Sequence, residues 1–155
     1  MRAGAGLVAA LCAGCASARI AGGAQIAPGT EPGGNVLARY TIGRCEDAYG
    51  TRIPEPESRI SVVRLRDGRL VLVERRPGYD SLVVDNGWAQ QDTRVFQLAF
   101  KHAASGPYLR EYRMPEGAGF GRLVLTKAVR DWGESAKGFR ATYSKAALAC
   151  ELAPA

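Results

Sequence analysis

Residues 59–75 read RISVVRLRDGRLVLVER, two runs of branched apolar residues on either side of Asp67-Gly68. Asp-Gly tolerates the positive φ angles of a two-residue type I′ turn, whose twist matches that of paired strands. We therefore predict a β-hairpin in which Leu65 lies opposite Leu70. Two such runs around one tight turn indicate an antiparallel sheet.

In this register Val63 lies opposite Leu72, and both share the core face with the leucine pair. Ile60, Val62 and Val73 then fall on the solvent face, which is the wrong side for such residues. A β-bulge near Val62 would repair the pattern.

Strand patterns separated by turns recur along the rest of the chain. Asn86-Gly87 predicts a second tight hairpin, and residues 130–137 allow one helical turn. This gives eight to ten short strands and no long helix. The predicted fold class is therefore all-β, either a small up-and-down antiparallel barrel, which has no exposed edges, or a two-sheet sandwich. Further strands are predicted at 36–45, 81–85, 88–91, 94–101, 108–114, 121–129, 139–145 and 147–152, with a loop over 48–58.

The first fifteen residues have a different character. Arg2 precedes an apolar run to Leu11 that is too short to span a bilayer, and Ala13-Gly14-Cys15 follows it. A charged start, a short apolar run and small residues are the parts of a secretory signal. The cysteine directly after Ala-Gly makes this signal resemble that of bacterial lipoproteins. The resemblance implies cleavage after Gly14 and a diacylglyceryl group on Cys15.

The same resemblance implies an address. Ala16 follows the cysteine where an Asp would favour the inner membrane, so we expect an outer-membrane anchor with the domain facing the periplasm or the cell surface. The predicted organisation is a signal peptide over 1–14, a lipidated N-terminus and flexible tether over 15–35, and one β domain over 36–153. The tether is predicted because Gly and Pro interrupt every periodic pattern there.

Two cysteines remain in the domain, Cys45 and Cys150. Two thiols exported to an oxidising compartment are expected to pair. The bond would join the two ends of the domain, and a loop of that size is worth about 4–5 kcal/mol in the chain-entropy account.

The charge of the chain is +6, from 21 Lys and Arg against 15 Asp and Glu. A basic surface favours anionic partners such as lipid headgroups, lipopolysaccharide or acidic proteins. The abundance of Ala, Gly and Arg also has a simpler explanation, namely GC-rich codons. Nucleic acid is not an expected partner in the cell envelope.

Residues that could support catalysis are scattered. His102 is the one histidine, so a histidine-rich metal site is excluded, and no Gly-x-Ser-x-Gly elbow is present. The acidic pairs Glu46/Asp47 and Glu55/Glu57 sit in predicted loops, where charge is usual. We therefore predict no catalytic residues, no metal and no cofactor.

A binding face is the more interesting possibility. Tyr108, Arg110, Tyr112 and Arg113 are of the types that dominate binding hot spots. Residues 108, 110 and 112 share one face of a predicted strand, and residue 113 points the other way. If Leu109 is in the core, the first three form an exposed stripe.

These observations predict a membrane-anchored envelope lipoprotein with a non-catalytic binding β domain. Its expected partners are the membrane, through the lipid, and an envelope protein or anionic envelope component. Small periplasmic barrel lipoproteins, including lysozyme inhibitors, are similar in architecture alone. An accessory structural subunit of an envelope or secretion assembly is the alternative.

Overall fold

A computed structural model of the protein describes residues 20–54, 56–102, 106–130 and 141–155. These residues form twelve strands, which confirms the all-β prediction, and none of them belongs to a helix that could cross a membrane. The strands are β1 (Ile20–Ala21), β2 (Gly23–Ile26), β3 (Asn35–Asp47), β4 (Arg52–Ile53), β5 (Arg59–Arg64), β6 (Leu70–Arg75), β7 (Ser81–Val84), β8 (Trp88–Gln90), β9 (Thr93–His102), β10 (Gly106–Pro115), β11 (Gly121–Arg130) and β12 (Ala141–Pro154).

All twelve strands belong to one antiparallel sheet that curls in the manner of a barrel. Two meanders build it: β3, β5, β6 and β7 form one, and β9 to β12 form the other. The last strand pairs with the first long strand, β12 with β3, and joins the meanders edge to edge. The predicted disulfide lies in this joint, because Cys45 and Cys150 are directly opposite each other and bonded. Such a bond is typical of an oxidising, exported compartment.

The other edges of the two meanders, β7 and β9, are covered by consecutive pieces of chain. β2 pairs with β7, β1 pairs with β9, and Gly22 lies between the two pieces. Gly22 has φ +85°, and a Cβ there would lie 2.5 Å from the Asn86 side chain. Asn86 in turn accepts a hydrogen bond from the Gln97 N–H at 3.1 Å. The place where β1 on β9 meets β2 on β7, called the seam below, therefore requires glycine at position 22.

The prediction of a flexible tether is wrong for residues 20–35. This segment supplies β1 and β2 and then crosses the outer face of the sheet to reach β3. Its sequence carries no strand signal because β2 is an edge strand with small side chains, and the pairing partner determines its conformation.

The hairpin around Asp67-Gly68 exists, but its register differs by one residue from the prediction. The Leu65 N–H donates to the Arg69 carbonyl, so the loop has three residues, with Gly68 at φ +87°. This is the type I turn with a G1 bulge rather than a type I′ turn.

The one-residue difference exchanges the two faces of β5, whereas Leu72 of β6 keeps its predicted place in the core. Val62 lies opposite Leu72 and both face the main core, whereas Val63 lies opposite Val71 on the outer face. The bulge predicted near Val62 lies instead in the neighbouring strand, between Val36 and Ala38.

The second predicted hairpin is wrong. Residues 81–84 form β7, but β8 pairs with β9 through a turn at Gln91, whose φ is +54°. Asn86 is used in the seam instead. The proposed helical turn lies almost wholly outside the described residues, and Arg130 ends β11.

The apolar side chains form two clusters on opposite faces of the sheet. The larger cluster fills the interior and includes Phe96, Tyr112, Leu123 and Leu152, all fully buried. The smaller cluster lies on the outer face of β5, β6 and β7 and consists of Val63, Val71, Val73 and Val83.

The chain between β2 and β3, residues 27–34, is called the crossing segment, and it covers the smaller cluster. Glu31, whose side chain is 5% exposed, accepts hydrogen bonds from the Ser81 hydroxyl at 2.7 Å and from Arg75 Nε at 3.1 Å. A Cβ on Gly34 would lie 2.7 Å from Val63. These contacts let β5, β6 and β7 be apolar on both faces.

Candidate functional site

The predicted exposed stripe on β10 faces inward, so its assignment to an exposed binding face is wrong. Tyr112 is fully buried, and the Arg110 side chain is 14% exposed. Tyr108 is half-buried and stacks on Phe100, with ring centroids 5.6 Å apart. Of the four predicted residues, Arg113 alone is exposed, and it pairs with Glu111 at 2.6 Å on the outer face. The alternation along β10 is as expected, but Leu109 is on the outer side.

Arg110 and Tyr112 meet a third residue inside the sheet, Glu74 of β6. Arg110 Nη2 donates to both carboxylate oxygens of Glu74, at 2.8 and 2.7 Å. The Tyr112 hydroxyl donates to Glu74 at 2.5 Å and accepts from Arg110 Nε at 2.5 Å. Glu74, Arg110 and Tyr112 are called the polar triad below.

The triad provides the partners that the buried carboxylate of Glu74 needs. Glu74 is 1% exposed, and a buried carboxylate is strongly unfavourable unless it is paired and hydrogen-bonded. Here it has a cation and three hydrogen bonds. Burial raises the pKa of the Tyr112 hydroxyl well above its usual value, and the charge of Arg110 does not offset this. Tyr112 therefore keeps its proton and acts as a donor.

Burial alone would lower the pKa of Arg110, but the interactions with Tyr112 and Glu74 outweigh it and raise the pKa. Arg110 is thus a permanent cation. With ionised Glu74 and neutral Tyr112, the triad carries no net charge.

A cavity of about 400 Å³ opens above the triad. Glu74 and Arg110 line its floor, and the loop before β5 and the turn after β6 line its mouth. This volume is in the range of small-ligand sites. The mouth residues are Pro56, Glu57, Arg76, Pro77 and Tyr79, and Ser58, which is buried, also lines the cavity.

The turn after β6 has the residues that its geometry requires. The Tyr79 N–H donates to the Arg76 carbonyl at 3.2 Å, Pro77 is second, and Gly78 is third with φ +75°. Proline and then glycine in these places specify a type II turn. Arg76 donates from Nε and Nη2 to the Asp80 carbonyl, and its guanidinium lies 5.7 Å from the Tyr79 ring centroid.

One nitrogen of the floor is available to a ligand. Arg110 Nη1 makes no hydrogen bond with the described residues. Since no fully buried side-chain nitrogen or oxygen of those residues lacks a partner, Nη1 keeps contact with solvent. Arg110 lines the cavity, and Nη1 is its one guanidinium nitrogen without a hydrogen bond to a described residue.

A second cavity, of about 550 Å³, shares Pro56, Glu57, Ser58, Arg76 and Pro77 with the first. It continues past Arg59 and Arg75 on the outer side of the sheet. Neither contains a metal cluster: in the described part of the chain, no three His, Cys, Asp or Glu side chains gather.

Comparison with known proteins adds nothing to this geometry, because no family model, no curated protein and no solved structure matches the chain significantly.

Sequence reasoning missed Glu74, although a signal was present. In the run from Leu70 to Arg75, residues 70, 72 and 74 share one strand face. A glutamate in line with two core leucines is a buried charge, and a buried charge requires a partner.

Proposed function

We propose that the protein is an exported, lipid-anchored envelope protein whose barrel-like domain binds a small ligand, or the protruding end of a larger one, in the cavity above the polar triad. Export and the oxidising compartment are supported by the disulfide between Cys45 and Cys150. Attachment of the lipid to Cys15, and the outer membrane as location, follow from the lipoprotein-like first fifteen residues.

The observation that carries the binding function is the unused Nη1 of Arg110 at the floor of a cavity of about 400 Å³. A structural ion pair needs no such opening. Binding sites combine an apolar wall with a few convergent polar groups, and this cavity has both. The site is assigned to binding rather than catalysis because both carboxylate oxygens of Glu74 are engaged by donors and the Tyr112 proton is held in place.

The test is to obstruct the mouth without disturbing the floor. Pro77→Trp places an indole at the second position of the turn, a position that accepts most residues. Asp80→Trp is the matched control, since it adds the same bulk in the same connection but does not line the cavity.

Full-length protein is extracted from its membrane in mild detergent and examined by native mass spectrometry. Wild type and Asp80→Trp should carry a small-molecule adduct that Pro77→Trp lacks. The proposal fails if the wild type carries none, or if both variants retain it equally. Recovery of a large protein assembly that is indifferent to Pro77→Trp would favour the accessory-subunit alternative.

A further inference from the structure

We propose that the cavity binds an amphiphile head first, with an anionic oxyacid head, a carboxylate or a phosphate, on Arg110 and an apolar chain at the mouth. This inference rests on the proposed binding function and adds the chemical class of the ligand.

The floor selects for a hydrogen-bond acceptor. Three donor contacts occupy the oxygens of Glu74, so its charge is already compensated. What remains is Arg110 Nη1 with its two N–H groups. Ser58 adds a hydroxyl: it is 3% exposed, lines the cavity, and its Oγ makes no hydrogen bond to a described residue. Guanidinium and hydroxyl donors suit carboxylate and phosphate oxygens.

The mouth of the cavity carries one positive and one negative side chain, which act in opposite directions on an anionic ligand. Arg76 donates from Nε and Nη2 to a neutral carbonyl, and it forms no ion pair with a carboxylate of the described residues, so its positive charge is not compensated. Glu57 is the acidic residue on the same rim. An anion entering the cavity is therefore attracted by Arg76 and repelled by Glu57.

Part of the mouth is apolar. Pro56 and Pro77 present ring carbons, and Tyr79 presents an exposed aromatic face steadied by Arg76. A ligand with its polar group at the floor must place its remaining atoms against these rings. An unbranched apolar chain fits this requirement, and the adjoining cavity gives it room to continue.

The experiment uses probes of one chain length that differ in the head group: decanoate, decyl phosphate, decanamide and decylammonium, with inorganic phosphate as the tail-free probe. Affinity is measured by isothermal titration calorimetry with the folded, disulfide-bonded protein at neutral pH. We expect the two anionic amphiphiles to bind at least roughly tenfold more tightly than the amide or the amine. Decanoate against decyl phosphate then distinguishes the two sources of the head group.

Two rim variants with opposite expectations test the electrostatics without touching the triad. Arg76→Gln should weaken binding of the anionic amphiphiles roughly three- to tenfold, and Glu57→Gln should strengthen it by a similar factor. Glu57 is exposed and Arg76 is half-buried, so circular dichroism checks that both variants keep the fold of the wild type.

The outcomes separate the two proposals. If decanamide or decylammonium binds as well as the anions and Pro77→Trp abolishes that binding, the ligand class is wrong and the binding function stands. The same holds if no probe binds but the native adduct is lost in Pro77→Trp. If inorganic phosphate binds as tightly as decyl phosphate, the amphiphile is wrong. If neither probes nor a native adduct bind, both proposals fall.

Discussion

Glu74 and Arg110 are 36 residues apart in sequence, on strands separated by four others in the sheet, yet their side chains form an ion pair inside it, in which Arg110 Nη2 donates to both carboxylate oxygens. The pair therefore ties the first meander to the second across the interior. Cys45 and Cys150 tie the same two meanders at their common edge. The interior pair has a free nitrogen and lines a cavity, so it can serve both the fold and a ligand.

Removing Arg110 should destabilise the domain strongly. Arg110→Met leaves the buried Glu74 charge without a cation, and breaking a buried pair on one side costs about 3–5 kcal/mol. The double variant Glu74→Gln/Arg110→Met should be less affected than Arg110→Met alone, because no charge is then stranded. Urea unfolding of the oxidised protein measures both. Arg69→Met, which breaks the exposed pair with Asp67, is the control and should change stability little. Equal effects of Arg110→Met and Arg69→Met would contradict the description of the triad.

Tyr112 should make stability fall at alkaline pH. Its pKa in the folded protein is raised above the ordinary value of 10.0, so the folded state holds the proton more tightly than the unfolded state does. The stabilisation is complete below about pH 10 and is lost progressively as the pH rises beyond it. Tyr112→Phe should lower stability at neutral pH by about 1–3 kcal/mol and flatten the alkaline decline. Unfolding free energies between pH 8 and pH 11 would show this, and an unchanged alkaline slope would rule it out.

Glu31 should contribute to stability at acid pH in the opposite sense. Its hydrogen bond from Ser81, assisted by a backbone N–H and the charge of Arg75, lowers its pKa from 4.5 to about 2. The contribution is present above about pH 4.5 and is lost as the pH falls towards 2. Glu31→Gln should therefore weaken the attachment of the crossing segment to the sheet at neutral pH, and it should remove part of the loss of stability at acid pH.

Hydrogen exchange of β6 and β7 measures the effect of Glu31→Gln, because the segment covers their outer face. Glu116→Gln, at a loose 3.9 Å contact with Arg94, is the control. Identical protection in the two variants would show that Glu31 does not hold the segment.

Lipidation of Cys15 has a direct test. Cys15→Ser should move the protein from the membrane fraction to the soluble fraction, because the thioether-linked lipid is its proposed anchor. Mass spectrometry of the N-terminal peptide should show the acyl mass in the wild type alone. Retention of Cys15→Ser in the membrane without an acylated wild-type peptide would contradict the proposal.

The sequence was sufficient for the fold class because strand alternation and turn residues are local. Asp67-Gly68 located the hairpin, but two turn types accept that dipeptide, and the choice between them exchanges the faces of Val62 and Val63. Register within a hairpin thus depends on one loop residue that local propensity does not fix. The pairing of Cys45 with Cys150 followed from elimination of the other cysteines.

The site was harder to predict than the fold because its residues come together only in the tertiary structure. The Tyr108–Arg113 segment was singled out, but which of its faces is buried depends on Glu74, a distant partner. The strands β1 and β2 carry almost no signal in their side chains, since the free edges of β7 and β9 determine them.

The docking of β1 onto β9 would limit how far the domain can travel from the bilayer if Cys15 carries the proposed lipid. A tether running from Cys15 to residue 35 could extend roughly 70 Å, whereas the chain between Cys15 and Ile20 spans at most roughly 18 Å. If Cys15 carries the lipid, the domain is held next to the headgroups. A ligand would then be exchanged with the membrane itself or with a protein that comes to it, because the domain has no reach with which to search the periplasm.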